Sequence, residues 1–215
     1  MLETFNVIAS EADYQAISFL ILKQLEGVEN DAYYDRDGVA TIGIGFNLLV
    51  PANLEAALGV FGFSAVELGP NDPHQYRARI ENALAAGGTD VELQARLNVI
   101  MNERAVTLGY GRRTFTLTDA EMISIFDANL RSEYEGKVNT WLAGIPNSWE
   151  RAILFSLAYG QAAENPLLGD GLKAAIESGD RAQAWLEIGV RNIGVRVRLM
   201  KDILRTVPAI ERADG

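Results

Sequence analysis

The chain has 215 residues, of which 48% are hydrophobic and 22% are charged, and its formal net charge is −10. This composition is ordinary for a soluble globular protein and supplies enough apolar material for a core, which excludes extensive disorder. The acidic balance argues against nucleic acid as a partner, because proteins that bind nucleic acid usually present a basic patch. The lack of cysteine excludes disulfides and thiolate metal sites.

The N-terminal segment carries Glu3, Glu11 and Asp13 before Tyr14, and apart from the chain end it has no basic group. A secretory signal begins with basic residues and continues with an apolar run, so we expect no export signal here. No stretch approaches the ~20 apolar residues that cross a bilayer. We therefore expect no membrane insertion.

The first predicted helix runs from about Glu11 to Glu26. Ser10 followed by Asp13 resembles a capping box, with Asp in place of the usual Glu or Gln. Gly27 is a natural helix terminator. The apolar residues of this segment recur at helical spacing, at Tyr14, Ile17, Ile21 and Leu25.

A β-hairpin is predicted directly after this helix. Residues 32–35 and 39–44 are rich in aromatic and β-branched side chains. Between them lies Arg36-Asp37-Gly38, in which the Asp-Gly pair is a turn signal. The helical period stops where this pattern starts, so the sequence predicts two strands joined by a tight turn.

The remaining residues predict helices. Residues 51–113 read as helices broken by loops, with a capping box at Thr89 and Glu92. Thr118 and Glu121 predict a helix that continues to about Trp141, and Asn147 with Glu150 predicts the start of the next. Shorter helices are expected near Gly171–Glu177, Asp180–Gly189 and Val195–Val207. The predicted fold class is α+β, mostly helical, with one small hairpin.

Glu26, Asp35 and Thr41 are the candidate catalytic residues. The C-terminal end of a helix carries partial negative charge, which favours the protonated form of Glu26 and suits a general acid. A hairpin that folds back beside the helix end would bring Asp35 and Thr41 to the same cleft. Glycoside hydrolysis requires an acid and a carboxylate that orients water or stabilises the sugar cation. From the residues alone, Glu26 also fits a solvated surface position and Asp35 also fits a turn former.

The spacing of these residues resembles the signature of the T4-type phage lysozymes, glycoside hydrolase family 24, whose members include endolysins. Asp35 follows Glu26 by nine residues, and Thr41 follows Asp35 by six. The same intervals separate the catalytic Glu, Asp and Thr of that family. The motif as it stands here is Glu26-Gly27, Tyr33, Asp35, Gly38 and Thr41-Ile42-Gly43-Ile44-Gly45.

The resemblance implies a role for each matching residue. Glu26 would protonate the glycosidic oxygen, while Asp35 and Thr41 would hold water or stabilise the developing charge. Gly43 and Gly45 would let the backbone approach the sugar chain closely. Further along the chain, residues 151–160 resemble the family's central buried helix, whose end at Tyr159 would border the cleft. Arg196 is similar in placement to an Arg that pairs with the acid, and Arg198 is an alternative.

The resemblance also implies a two-lobed lysozyme-like fold within a single domain, residues 1–215. The hairpin lobe would be 28–50 and the helical-bundle lobe 114–207. Two features depart from the family. Phe46 stands where well-known members have a His, and residues 51–113 form a segment much longer than the expected connection. That segment would extend the sugar-binding lobe, cover the cleft, contact a partner, or serve packing alone.

The implied activity is that of a muramidase that cleaves the β-1,4 bond between N-acetylmuramic acid and N-acetylglucosamine without a cofactor. Its partner would be the peptidoglycan glycan strand, and we expect a monomer. Without an export signal, the chain would be made in the host cytoplasm and reach the wall through a holin, a virion or a secretion machine. The alternatives are a catalytically inert virion or wall-binding module and a lytic transglycosylase, which needs no water-holding Asp.

Metal and nucleotide chemistry are disfavoured. His74 is the only histidine, which excludes a site with several His ligands. Asp35-Arg36-Asp37-Gly38 lacks the flanking acidic residues of a calcium loop, because Tyr33 and Ile44 occupy the positions that would carry them. Gly43-Ile44-Gly45 lacks the third glycine of a dinucleotide fingerprint.

Overall fold

The computed structural model describes residues 5–159 and 168–191. This part of the chain is mostly helical with one small antiparallel sheet, which confirms the predicted α+β, mostly helical class. The helices are α1 (Glu11–Glu26), α2 (Pro51–Val60), α3 (Tyr76–Ala85), α4 (Asp90–Leu108), α5 (Asp119–Asn129), α6 (Arg131–Trp141), α7 (Trp149–Tyr159), α8 (Asp170–Ser178) and α9 (Arg181–Arg191). The strands are β1 (Glu29–Tyr34), β2 (Ala40–Gly43) and β3 (Phe46–Asn47), in the order β1-β2-β3. The helix predicted at Val195–Val207 lies outside the described residues.

The chain divides into two compact units. The first unit combines Met1–Leu25 with Glu133–Gly215, and the second is Glu26–Ser132. The predicted hairpin segment 28–50 and the predicted insertion 51–113 both fall within the second unit, together with α5. Glu26, the last residue of α1, is the first residue of that unit.

Helix α1 begins where the sequence predicts. The Ser10 hydroxyl accepts a hydrogen bond from the Asp13 backbone N–H at 3.0 Å and donates to the Asp13 carboxylate at 2.7 Å. Ile8, Tyr14, Ile21 and Ala152 form a buried cluster, and Trp149 packs against it. This cluster holds α1 against α7 in the first unit through apolar burial.

A hydrogen-bonded network joins Tyr14, Glu135 and Arg151 from α1, α6 and α7. The Tyr14 hydroxyl donates to Glu135 Oε1 at 2.5 Å, and Arg151 Nη2 and Nε donate to Glu135 Oε2 at 2.5 and 3.1 Å. Arg151 also donates to the Ile145 carbonyl and to the Asn139 side chain. Burial, and then the hydrogen bond to Glu135, raise the pKa of Tyr14 far above its ordinary value, so the phenol keeps its proton.

Two details of the helical predictions were wrong. The helix predicted from Thr118 to Trp141 is two helices, which are separated by a turn residue, Leu130, with φ −112°. Helix α7 is capped by Ser148, which accepts from the Arg151 N–H at 3.1 Å, and not by Asn147. Glu150 cannot complete a capping box because its carboxylate accepts from the backbone and side chain of Asn6.

The second unit is built around the sheet. Strand β2 is buried along its whole length, and α2 packs against α5 and β3. Helix α3 packs against α4, which in turn packs against β1. The predicted capping boxes of α4 and α5 are confirmed: Thr89 pairs with Glu92, and Thr118 with Glu121.

Strand β1 lies at the edge of the sheet, and α4 and the segment before α5 occupy its outer side. The Ala32 N–H donates to Gln94 Oε1 at 2.9 Å, and the Tyr34 N–H donates to Asp90 Oδ1 at 2.8 Å. One further bond runs from the Leu117 N–H to the Asn30 carbonyl at 2.8 Å. Three outward-facing backbone groups of β1 are thereby paired without another full strand.

A buried ion pair anchors α4 to the loop after α2. Arg104 is 5% exposed, and its Nε donates to Glu67 Oε1 at 2.6 Å while its Nη2 donates to the Gly62 carbonyl at 2.5 Å. The guanidinium also lies 4.2 Å from the centre of the Phe63 ring. The hydrogen bond from Arg104 lowers the pKa of Glu67 to about 2 from its ordinary 4.5.

Glu67→Gln is expected to lower the free energy of unfolding at pH 7 by about 2 kcal/mol. The reason is that the pKa of Glu67 is lower in the folded state than in the unfolded state, so its ionised form stabilises the fold. This contribution is present above pH ~4.5 and is lost as the pH falls towards about 2. Urea denaturation at pH 7, 4 and 3 should therefore show that the difference in the free energy of unfolding between wild type and variant decreases as the pH falls.

The control is Glu55→Gln, which removes the carboxylate from an ion pair in which the side chains of Glu55 and Arg77 are 49% and 32% exposed. It should change the free energy of unfolding by less than ~0.5 kcal/mol. A Glu67→Gln effect that stays constant between pH 7 and pH 3 would contradict the assignment.

Candidate functional site

Asp35 shapes the hairpin turn. The Gly38 N–H donates to the Asp35 carbonyl at 2.9 Å, and Gly38 has φ +77°, a conformation that glycine adopts without strain. The Asp35 Oδ1 accepts from the N–H groups of Asp37 and Val39 at 2.9 and 2.8 Å. Its Oδ2 has no hydrogen-bond partner in the described part of the chain, so one carboxylate oxygen stays available beside the turn.

Asp35→Ala is expected to lower the free energy of unfolding by about 1–2 kcal/mol, because two backbone N–H groups lose their acceptor. Asp35→Asn keeps the acceptor Oδ1, so it should lower the free energy of unfolding by less than half as much. Thermal denaturation of the two variants and of Asp37→Ala, an exposed neighbour, measures the difference. Equal losses in Asp35→Ala and Asp35→Asn would show that the charge, and not the acceptor, stabilises the turn.

The carboxylates of Glu26 and Asp35 both raise the pKa of Tyr33. Burial raises the pKa of the half-buried Tyr33 phenol, and the carboxylates of Asp35, Glu29, Glu26 and Asp90 raise it further, in that order. Negative charges on α1, β1, the turn and α4 therefore all favour the protonated form of this phenol. The predicted acid and the predicted carboxylate are two of these four groups.

Thr41 lies directly across the hairpin from Tyr33. It is 2% exposed, and its hydroxyl donates to the Val39 carbonyl at 2.9 Å. The hydroxyl proton is thus held by the hairpin itself, and the oxygen lone pairs remain as acceptors. The role that the sequence predicts for Thr41 stays a prediction.

Gly43 and Gly45 both have positive φ, +70° and +100°. Gly43 is buried, and a Cβ added there would lie 3.0 Å from the Phe46 ring and 3.2 Å from Met122 Sδ. Glycine at this position is explained by the packing of Phe46 and Met122. Gly45 is exposed on the turn that joins β2 and β3.

An open cleft of about 690 Å³ lies within the second unit, between β1 and α4. It begins at Glu26, which is exposed at the end of α1. Neither Asp35 nor Thr41 is among its lining residues, which are Glu26, Gly27, Val28, Glu29, Asp31, Ala32, Tyr33, Asp90, Val91, Gln94, Ala95 and Asn98. The predicted acid therefore borders a cleft of a size typical for ligand sites, and one wall comes from the segment 51–113.

Two further binding residues are predicted, Tyr159 and Arg196, and neither these nor Gly43 and Gly45 are among the residues described as lining the cleft. Tyr159 ends α7 in the first unit, where its ring packs against Tyr134 with centroids 4.9 Å apart. Arg196 and its alternative Arg198 lie outside the described residues. Their predicted roles stay predictions.

The α4 wall is the part of the site that sequence reasoning missed. Asp90, Gln94 and Asn98 recur at intervals of four residues and thus share one face of α4. That polar stripe was the available signal, but such a stripe usually marks a solvated helix face. Only the folded chain shows that it faces β1.

No cluster of His, Asp or Glu side chains within residues 5–159 and 168–191 is arranged to hold a metal ion. In the same residues, no helix is both long and apolar enough to cross a membrane. Comparisons with protein-family models, with curated proteins and with solved structures found no match for this chain. The resemblance to the phage lysozymes therefore rests on the spacing of Glu26, Asp35 and Thr41 and on the surrounding glycines.

Proposed function

We propose that this chain is a muramidase that hydrolyses the β-1,4 bond between N-acetylmuramic acid and N-acetylglucosamine in peptidoglycan. One observation carries the proposal. Glu26 ends a helix at the mouth of a cleft, and Asp35, nine residues on, lies in the turn that follows β1, the strand whose residue Tyr33 lines the same cleft. A lysozyme-like two-lobed fold and membership of the phage-lysozyme family are part of this proposal.

In this mechanism Glu26 is the general acid that protonates the leaving glycosidic oxygen. Its place in the last turn of α1 sets it in the partial negative charge of the helix end, which favours the protonated form. Its exposure leaves the carboxyl accessible to a glycan strand. No cofactor enters the reaction.

Asp35 supplies the second carboxylate that glycoside hydrolysis requires. The turn fixes its Oδ1, so Oδ2 has a defined position from which to orient water or to stabilise the sugar cation. Thr41 supports this function from the neighbouring strand through the lone pairs of its hydroxyl. Asp35 also distinguishes the proposal from a lytic transglycosylase, whose chemistry needs the acid but no water-holding Asp.

The cellular setting belongs to the same proposal. The protein would be made in a host cytoplasm as a monomer and would act on the wall after delivery by a holin, a virion or a secretion machine. A phage endolysin, a virion lysozyme and a bacterial effector share this chemistry.

The test is digestion of purified sacculi, stripped of the outer membrane, followed by mass spectrometry of the soluble products. We expect muropeptides with reducing ends. Products with 1,6-anhydro ends would instead identify a lytic transglycosylase. No release of muropeptides at low salt across pH 5–8 would overturn the proposal.

A second candidate is a wall-binding or virion module without activity. The observation that favours it is the charge of the cleft: four carboxylates line it, and no Lys or Arg does among the residues described. Together with the net charge of −10, this lining weakens the encounter with anionic wall polymers. A protein that neither digests sacculi nor sediments with them would support a virion module, whereas sedimentation without digestion would support a wall-binding module.

A further inference from the structure

Helix α4 gives the cleft a wall that carries both polar and apolar groups. Gln94 and Asn98 contribute amides, while Val91 and Ala95 contribute exposed aliphatic surface. Val91 is 79% exposed, so its side chain is accessible to a ligand in the cleft. Opposite this wall, β1 contributes carboxylates, among them Glu29.

The amide of Asn98 is locked in one orientation. Its Oδ1 accepts from the Phe115 backbone N–H at 2.8 Å and lies 3.3 Å from Gln94 Nε2. A backbone N–H only donates, so the atom that faces it must be the oxygen, and the amide cannot be turned over without losing this bond. Gln94 is itself fixed, because its Oε1 accepts from the Ala32 N–H at 2.9 Å.

The Asn98 Nδ2 therefore remains as a directed donor on a residue that lines the cleft. It has no hydrogen-bond partner within residues 5–159 and 168–191, although the side chain is half-buried. A donor held in place beside a cleft favours a ligand that presents an acceptor and disfavours one that leaves the donor unpaired.

An acetamido group matches this arrangement. It offers a carbonyl oxygen for Asn98 Nδ2, an N–H for a carboxylate such as Glu29, and a methyl group for the surface of Val91 and Ala95. An anionic group does not match it, because the lining holds four carboxylates and, in the described part of the chain, no Lys or Arg.

We propose that Asn98 is a specificity-determining residue that binds the carbonyl oxygen of an N-acetyl group on a sugar held between β1 and α4. The proposal rests on the proposed function for the class of substrate, a β-1,4-linked amino-sugar chain. It gives the segment 51–113 a task, since this segment supplies the residue that recognises the C2 substituent.

The experiment compares two neutral hexasaccharides with the same β-1,4 linkage, hexa-N-acetylchitohexaose and cellohexaose, by isothermal titration calorimetry. The protein carries Glu26→Gln, so that neither ligand is hydrolysed during the titration. Asn98→Asp is the test variant, because it keeps the acceptor for the Phe115 N–H and removes the donor, while the negative charge that it adds is also added by the control. Asn102→Asp is the control: it lies one turn further along α4, outside the cleft lining, and its Oδ1 accepts from Arg113.

With Asn98 intact, the N-acetylated ligand should bind about tenfold more tightly than cellohexaose. Asn98→Asp should remove this preference through about tenfold weaker binding of the N-acetylated ligand, with cellohexaose and Asn102→Asp unaffected. Equal binding of both ligands, binding of neither, or an Asn98→Asp variant that keeps the preference would overturn the proposal.

The outcome is separable from that of the muramidase assay, because the titration measures binding without hydrolysis. Sacculi left undigested by an enzyme whose Asn98 still selects the N-acetylated ligand would refute the muramidase activity alone. Sacculi digested by an enzyme without this selectivity would refute the role of Asn98 alone.

Discussion

Glu26→Gln is expected to lower the rate of muropeptide release from sacculi by about 10²–10⁴-fold, the contribution that a general acid makes in such reactions. The amide keeps the size and hydrogen-bonding capacity of the side chain but has no proton to give to the glycosidic oxygen. The initial rates of wild type and variant, measured by clearing of chloroform-treated Gram-negative cells, provide the comparison.

The matched control is Glu11→Gln, which makes the same substitution in the first turn of the same helix. The Glu11 side chain is exposed and bonds Gln15 and Asn147, so the rate should stay within about twofold of wild type. Circular dichroism of all three proteins separates loss of chemistry from loss of fold. A folded Glu26→Gln variant that clears cells at the wild-type rate would remove Glu26 from the mechanism.

Arg151→Leu is expected to lower the free energy of unfolding by about 3–5 kcal/mol, because it leaves the Glu135 carboxylate buried without its counter-charge. The side chains of Arg151 and Glu135 are only 10% and 18% exposed, so water does not replace the lost partner. The Ile145 carbonyl and the Asn139 side chain lose a donor in the same substitution. Guanidinium denaturation at pH 7 measures the effect.

Glu135→Gln and Glu133→Gln form the control pair on α6. Glu135 holds Tyr14 and Arg151, whereas Glu133 pairs with Lys137 on the surface, where the two side chains are 54% and 44% exposed. We expect a loss of about 2–3 kcal/mol for Glu135→Gln. For Glu133→Gln the loss should stay below ~0.5 kcal/mol. If the double variant Arg151→Leu, Glu135→Gln is less stable than either single variant, the network does not act as a unit.

The elements that could be predicted from the sequence are those that local chemistry determines. Helix α1 was predicted with its observed bounds because Ser10 and Asp13 begin it and Gly27 follows its end. The hairpin was predicted from its aromatic and β-branched residues and the Asp-Gly turn at Gly38, and these signals lie within 13 residues of each other, 32–44. In such segments each residue responds to its near neighbours, so the pattern is readable without the fold.

The misread elements depend on residues far away in the sequence. Asn147 and Glu150 have the spacing of a helix cap, but Asn6 binds the Glu150 carboxylate from 144 residues away. Ser148 caps α7 in their place. The break at Leu130 has no Gly or Pro to announce it, and beside it Asn129 bonds the Ala52 carbonyl on α2. Tertiary contacts such as these override local propensity.

In the candidate site, too, the residues of a local motif could be predicted, whereas the residues oriented by distant contacts could not. Glu26 and Asp35 could be found because both lie within one short motif. The α4 wall could not, because Gln94 and Asn98 gain their orientation from Ala32 and Phe115, which are separated from them by 62 and 17 residues. A helix sequence contains no information on which neighbour its polar face will meet.

The outer side of β1 limits how far this protein can be shortened. An unpaired strand edge is a template for pairing with other chains, and natural proteins cover or interrupt such edges. Here Gln94 and Asp90 take the backbone N–H groups that a stray strand would otherwise bind. A variant shortened by deleting 51–113 would expose that edge, and it should self-associate into β-rich aggregates.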